Sequence, residues 1–144
     1  MFTSTHVLLY RLTDGRLGGS FRGAPVLLLT TIGSKSGRRR TTPLLYVNDG
    51  DRIAVVASNN GRDKDPSWWY NMKRNPQAEV QIENEKKRVG AAKASPEEKR
   101  RLWPLLTKIY PTYDVYQTRT KREIPVIILT PISPSTGNLE AARE

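Results

Sequence analysis

Three groups of residues in this 144-residue chain have the make-up to do chemistry. Gly33-Ser34-Lys35-Ser36-Gly37 is a glycine/serine turn whose backbone N–H groups could cradle a phosphate, with Lys35 inside it and Arg38, Arg39 and Arg40 beside it. A plain turn is the alternative, but the cationic company suits an anion. Trp68, Trp69 and Tyr70 are consecutive. On a helix they fan out about 100° apart, so at least one ring should sit at a groove where it can stack on a flat ligand. Two core anchors and one surface ring is the plainer alternative. Tyr110, Tyr113 and Tyr116 recur every three residues and would lie along one side of a helical turn. Such a row is either ordinary packing or a pocket lining whose hydroxyls orient or protonate a substrate. Ser58, ending an apolar strand, is a weaker pocket candidate.

What is missing narrows the chemistry. There is no cysteine and one histidine, His6, which excludes disulfides, thiolate metal sites and cysteine nucleophiles, and leaves no basis for a metal site or a Ser-His-Asp triad. Neither a Walker loop nor G-x-G-x-x-G occurs, and no carboxylate pair is spaced for acid–base work. Binding groups without intrinsic machinery imply that a cofactor carries any reaction.

The elements that must position these groups can be read from the same residues. Thr5–Thr13 reads as a helix with Thr5 as N-cap and Leu8, Leu9 and Leu12 at helical spacing. Val26–Thr31 is a buried strand, the basic turn follows with left-handed glycines, and Arg40–Asn48 resumes as a strand with Pro43 at a bulge or edge. Asp49-Gly50 signals a hairpin to Arg52–Ser58. After the polar loop Asn59–Lys64, Asp65 is placed to cap a short helix with Pro66 at its first position, ending near Asn75-Pro76. Ala78–Ile82 and Lys87–Ala92 form a second strand pair. Ser95-Pro96-Glu97-Glu98 is a capping box opening a helix towards Ile109, with Pro104 expected to kink it. Tyr110–Gln117 makes a further helical turn and Pro125–Thr130 a last strand, followed by a polar tail over 133–144. Six strands with helices inserted between hairpins argue for an α+β fold around an antiparallel barrel or sheet, within one domain over residues 1–144.

The formal net charge is +10, from 24 Lys+Arg against 14 Asp+Glu. Residues 1–75 contribute +7 of it, concentrated at Lys35–Arg40. Nucleic acid, an anionic membrane surface, an acidic small molecule or mere solubility would each account for this excess. Apolar runs such as Val26–Leu29 are too short to cross a bilayer, and no signal peptide is recognisable, so a cytoplasmic protein is expected.

Several segments together resemble one family. Gly15–Gly19, LLLTTIGSKSGRRRTTPLLY (Leu27–Tyr46), VVASNNGRDKDPSWWYNMKRNP (Val55–Pro76) and WPLLTKIYPTYDVYQ (Trp103–Gln117) are similar in register to the deazaflavin-dependent nitroreductases, actinobacterial F420H2-dependent reductases, over roughly Tyr10 to Pro131. The resemblance implies a split β-barrel of about six mostly antiparallel strands with three or four helices. It implies coenzyme F420, an 8-hydroxy-5-deazaflavin with a polyglutamate tail, and hydride transfer from its C5 to a quinone, nitroaromatic or enone-like acceptor. No metal is implied. By this likeness Lys35 and Ser36 would bind the phosphodiester, with Ser34 contributing backbone, and Arg38, Arg39 and Arg40 would meet the glutamates. Thr41, Thr42, Pro43, Leu44, Leu45 and Tyr46 would run along the ribityl chain and ring. Val56, Ala57, Ser58 and Asn59 would approach the ring edge, and Ser67, Trp68, Trp69, Tyr70 and Asn71 would hold the cofactor from the short helix. Tyr113 matches a cofactor contact, while Tyr110, Tyr116 and Ser58 match positions shaping the acceptor pocket and, with Tyr113, form the catalytic set.

Two departures stand out. Ser34 occupies a position where the family commonly has arginine, and Leu45 replaces the tyrosine of members that reduce nitroimidazole drugs. Some relatives use an amphipathic leader at the membrane, which Phe2–Leu12 could imitate only weakly. The reading is thus an F420H2-dependent oxidoreductase acting on a small planar acceptor, with no specific nucleic acid partner. Its competitors are an FMN-binding split barrel, which leaves the arginine run without a partner, a basic nucleic-acid-binding module without catalysis, and a quinone or lipid carrier without turnover.

Overall fold

The computed structural model describes residues 7–8, 10–11, 19–21 and 23–132. Its strands are β1 (Ser20–Phe21), β2 (Ala24–Ile32), β3 (Arg39–Leu45), β4 (Val47–Asp49), β5 (Arg52–Val56), β6 (Gln77–Ile82), β7 (Glu85–Lys93) and β8 (Val126–Pro131). Helices α1 (Ser67–Arg74), α2 (Pro96–Ile109) and α3 (Thr112–Arg119) are inserted between strands, as expected. Every strand pairing is antiparallel, in the order β1-β2-β6-β7-β8-β5-β4, with β3 also on β2. The α+β class is therefore the observed one.

Apolar runs such as Val26–Leu29 arise because both faces of the sheet are covered. Along β2, Val26 and Leu28 enter one core with Leu102 and Leu106 of α2 and the tyrosines. Leu27 and Leu29 enter another with Trp68, Trp69 and Met72 of α1. Alternate residues of β5 and β8 divide in the same way.

Eight strands replace the six expected, for two reasons. Ser20–Phe21 adds a short strand on β2. Arg40–Asn48, expected as one strand, changes partner at Tyr46: β3 pairs with β2, whereas β4 pairs with β5. Pro43 sits on β3, whose one ladder is to β2, so its missing N–H falls at an edge as anticipated.

Two local expectations are corrected. Asp65 does not cap α1: the N-cap position is Pro66, without a side-chain cap bond, and the Asp65 carboxylate accepts from Arg122 at 2.9 Å and Lys73 at 3.3 Å. Charged donors outbid a neutral amide for a carboxylate. In the basic turn Gly37 alone is left-handed (φ 72°). At Gly33 the constraint is space instead: a Cβ there would lie 2.7 Å from Ser36 Oγ, so any larger residue would have to displace that hydroxyl, the acceptor of the Arg38 amide. The Ser95–Glu98 capping box forms in full, and α2 continues through Pro104. Val7, Leu8, Tyr10 and Arg11 are helical, but Leu8 is exposed while Tyr10 is fully buried. The Tyr10 hydroxyl donates to the Gln81 carbonyl and accepts from the Glu83 amide. Thr5, His6, Leu9, Leu12, Gly15–Gly18 and the tail from Ser133 lie outside the described residues.

Candidate functional site

The β2–β3 hairpin closes at the pair Ile32 and Arg39, and the turn beyond it is held by its own polar groups. The Gly33 amide donates to the Arg38 carbonyl at 2.7 Å, Gly37 to Gly33 at 2.9 Å, and the Arg38 amide to Ser36 Oγ at 3.1 Å. Asn71 of α1 anchors this turn from across the cleft. Its Oδ1 accepts the Ser34 amide at 2.9 Å, and its Nδ2 donates to Thr31 Oγ1 at 3.1 Å. The Ser34 N–H expected to serve an anion is thus already engaged. Among the described residues, the Lys35 and Ser36 amides donate no hydrogen bond, which leaves two successive N–H groups for a ligand.

Between this turn, β3 and α1 lies an open cleft of about 950 Å³. It gathers Ser34, Lys35, Ser36, Arg40, Thr41, Thr42, Ser67, Trp68, Tyr70 and Asn71 from the expected cofactor set, together with Arg39. Thr31, Gly33 and Lys64 also line it. Among the described residues, four lining side chains are cationic (Lys35, Arg39, Arg40 and Lys64) and none is acidic; of the four, Arg39 alone has a carboxylate neighbour there, Glu79 at 3.4 Å. Thr31 was readable in retrospect from its register opposite Arg40. Lys64, one lysine in a polar loop, carried no signal in sequence. Trp69 is a core anchor, Trp68 is buried but reaches the cleft wall, and Tyr70 is exposed under Lys73, whose Nζ lies 4.7 Å from its ring centre. The fan of rings divides as the helical geometry requires.

The remaining expected residues do not line this cleft. Strand alternation separates them: Leu44 and Tyr46 pack with Ala57 and Trp69, whereas Leu45 and Val56 face the tyrosine core. Pro43 shares Leu45's side of β3 by the two-residue period. Arg38 is exposed on the turn. Ser58 and Asn59 are half-buried on the loop leaving β5, with Asn59 left-handed at φ 48°. Tyr110, Tyr113 and Tyr116 form a buried ring cluster, with centroids of Tyr110 and Tyr113 at 5.0 Å in an edge-on contact and both 6.2–6.4 Å from Tyr116. The Tyr110 and Tyr116 hydroxyls lie 3.3 Å apart. Burial, reinforced by the neighbouring Tyr110 and Tyr116, pushes the Tyr113 phenol well above its ordinary range, so it is a neutral hydroxyl rather than a base. Arg11 reaches β3 from the N-terminal helix, donating to Thr41 Oγ1 at 2.7 Å.

A phosphodiester with a glutamate tail, the anionic part of F420, suits this donor set: two amides unengaged and no lining carboxylate among the described residues, with hydroxyls and four cations. Comparison with known proteins points the same way. A protein of Mycobacterium tuberculosis (strain H37Rv) named F420H(2)-dependent quinone reductase is 40% identical over 129 residues, 87% of each chain. A solved structure of an F420-H2 dependent reductase superposes with a TM-score of 0.67 at 42% identity, over 73% of this chain and 93% of that one. A further structure, described as a domain-swapped dimer, is 38% identical with a TM-score of 0.70, over 87% of this chain and 92% of that one, and matches the curled sheet as a split-barrel-like fold. The family model for F420H(2)-dependent quinone reductases matches residues 2–131, which takes in the basic turn, α1 and the tyrosine row alike. From the phosphate-suited turn to the last strand, this chain belongs to the F420H(2)-dependent quinone reductase family.

Proposed function

We propose that the cleft between the basic turn and α1 holds the anionic tail of F420, and that residues of β3, the loop after β5 and the tyrosine row orient the ring towards a quinone. The observation that carries this reading is the concentration of four lining cations, only Arg39 of them paired with a carboxylate among the described residues, around two amides that donate no hydrogen bond there, beside Trp68 and Tyr70. When bound, reduced F420 supplies a hydride from C5 of its deazaflavin, and with one proton this converts a quinone to a quinol.

The side chains have separate tasks. Lys35, Ser36, Arg40 and Lys64 neutralise and fix the tail, while Ser67, Trp68, Tyr70 and Asn71 wall it from α1. Arg38 and Arg39 supply further charge at the rim. Thr41, Thr42 and Pro43 to Tyr46 line the path along β3, with only alternate side chains available to one face. Val56 to Asn59 approach the ring edge, and Ser58 with Tyr110, Tyr113 and Tyr116 forms the acceptor side. A neutral tyrosine hydroxyl there can hold a carbonyl oxygen and pass on a proton, but cannot abstract one. Catalysis is mainly positioning, a source of up to about 7–11 kcal/mol.

The competing FMN reading lacks a tail to meet the cationic turn, and a nucleic-acid module has no use for the buried tyrosines. Both are decided by one assay. Titrated into the protein, F420 should bind saturably by fluorescence, at least tenfold more tightly than FMN or a short oligonucleotide. Lys35→Ala and Arg40→Ala should each weaken F420 binding about tenfold or more, and less so at high salt. Absence of saturable F420 binding by the unaltered protein ends this reading. A single domain over 1–144, a cytoplasmic location and a weak membrane contact through residues 1–14 belong to the same proposal. Among the described residues no helix is long and apolar enough to cross a membrane.

A further inference from the structure

Lys64 enters the cleft from a loop that has little regular structure of its own. Between β5 and α1 the chain makes a single 3₁₀ turn, Asn59–Gly61, with three successive left-handed residues. Such backbone persists only where its surroundings over-determine it. The α3 backbone at Tyr116 closes on Gly61, Arg119 Nη1 donates to the Asn60 carbonyl at 3.5 Å, and one side chain holds the residues on both sides of the turn. Arg122, which follows α3, spreads its guanidinium across the loop: Nε donates to the Arg62 carbonyl at 2.9 Å, Nη1 to Asp65 Oδ1 at 2.9 Å, and Nη2 to the carbonyls of Ser58 at 2.9 Å and Ala57 at 3.3 Å. Two of these acceptors bracket Lys64 in sequence, and the Lys64 carbonyl itself accepts from Asn59 Nδ2 at 2.9 Å. The Arg122 and Asp65 side chains are 18% and 19% exposed, so solvent competes little for the fan. Thr120 adds a bond to Asp63 Oδ1 at 2.8 Å.

Resting on the cofactor reading above, we infer that Arg122 is a positioning residue for the F420 tail, acting through Lys64. Only a planar guanidinium can serve four acceptors in this spread; an ammonium offers three donors from one point. The same fan ties the cleft loop to the end of α3, the helix that carries Tyr113 and Tyr116, and so sets cofactor tail and acceptor side relative to each other.

The test is a double-mutant cycle read by F420 fluorescence titration. Arg122→Ala should weaken binding of F420 about tenfold, the loss expected of one misplaced charged contact. Because Arg122 also holds the Ala57 and Ser58 carbonyls near the ring edge, binding of a deazaflavin lacking the phosphodiester and glutamates should weaken as well, but by a much smaller factor than F420. In a Lys64→Ala background, Arg122→Ala should have only that smaller effect on F420. Arg122→Lys should behave as Arg122→Ala, and added guanidinium should restore tight binding to Arg122→Ala. Should Arg122→Ala not fold, Arg122→Lys and Asp65→Asn enter the same cycle. Equal loss for both deazaflavins, or a full Arg122 effect without Lys64, would show a merely structural role and overturn the inference. So would wild-type affinity in the Arg122 variants. Loss of F420 binding by the unaltered protein would instead strike the cofactor reading.

Discussion

Asn71 joins the phosphate-suited turn to α1, and its removal is the sharpest test of how the cleft is held. Asn71→Ala deletes two hydrogen bonds, from the Ser34 amide at 2.9 Å and to Thr31 Oγ1 at 3.1 Å. Each is worth about 1 kcal/mol net, and the Thr31 hydroxyl, 1% exposed, has little access to water as a substitute. The Ser34 amide is half-buried at the cleft and can be rehydrated, so it escapes the full desolvation penalty. The sum is about 2–3 kcal/mol, lowering Tm by roughly 5–12 °C. Urea unfolding measures the first quantity, and F420 titration should show about tenfold weaker binding as the turn drifts from α1. Thr31→Val removes one of the two bonds and should cost about 1 kcal/mol. Asn71→Asp keeps the acceptor for Ser34 but places a negative charge among four cations. Its stability should stay nearer wild type while F420 binding falls, and the fall should shrink with added salt. If Asn71→Ala loses under about 0.5 kcal/mol and binds F420 normally, the anchoring argument is wrong.

Three further outcomes follow from other parts of the molecule. At Gly61 (φ 78°) a Cβ would meet the Tyr116 carbonyl oxygen at 2.8 Å and Cα at 2.9 Å, so Gly61→Ala should cost about 2–5 kcal/mol in urea unfolding. Gly37→Ala, also left-handed but with open space around it, should cost only about 1–2 kcal/mol. Hydrogen bonds from Arg101 and Arg52 hold the Asp49 carboxyl down at about 2. A lowered pKa stabilises the fold fully above the unfolded value of about 3.9, and the contribution disappears as pH falls through about 2. Wild type should therefore lose stability across that window relative to Asp49→Asn, whose acid titration by circular dichroism should be flatter there. The raised pKa of Tyr113 predicts that subtracting a Tyr113→Phe titration from wild type leaves no tyrosinate absorbance below about pH 10.

Much of this was legible before folding. Helix and strand boundaries came from punctuation: Ser95 and Glu98 formed the capping box their spacing announced, and the hairpin at Asp49-Gly50 turned at Gly50. Asp65 shows the limit of such signals. Its type and position said cap, but Arg122, 57 residues away in sequence, offered a charged partner. The basic turn and the aromatic fan were readable as a site because charge and ring count are local properties. Which residues share a face was not, and a likeness in sequence joined Leu44, Leu45 and Tyr46 although β3 sends them to opposite sides.

By itself, then, the sequence determined the α+β class, the cationic turn, the absence of thiol chemistry and the kinship with F420H(2)-dependent quinone reductases. Those depend on residue type, short-range spacing and resemblance along the chain. Tertiary structure alone decided that Lys64 lines the cleft, that Asn71 occupies the Ser34 amide, that the tyrosines pack on the far face of the sheet, and that Arg122 holds the loop between them. The reason is physical: hydrogen bonds of about 3 Å join groups 37 to 65 residues apart, and no local pattern encodes which distant partner closes each contact.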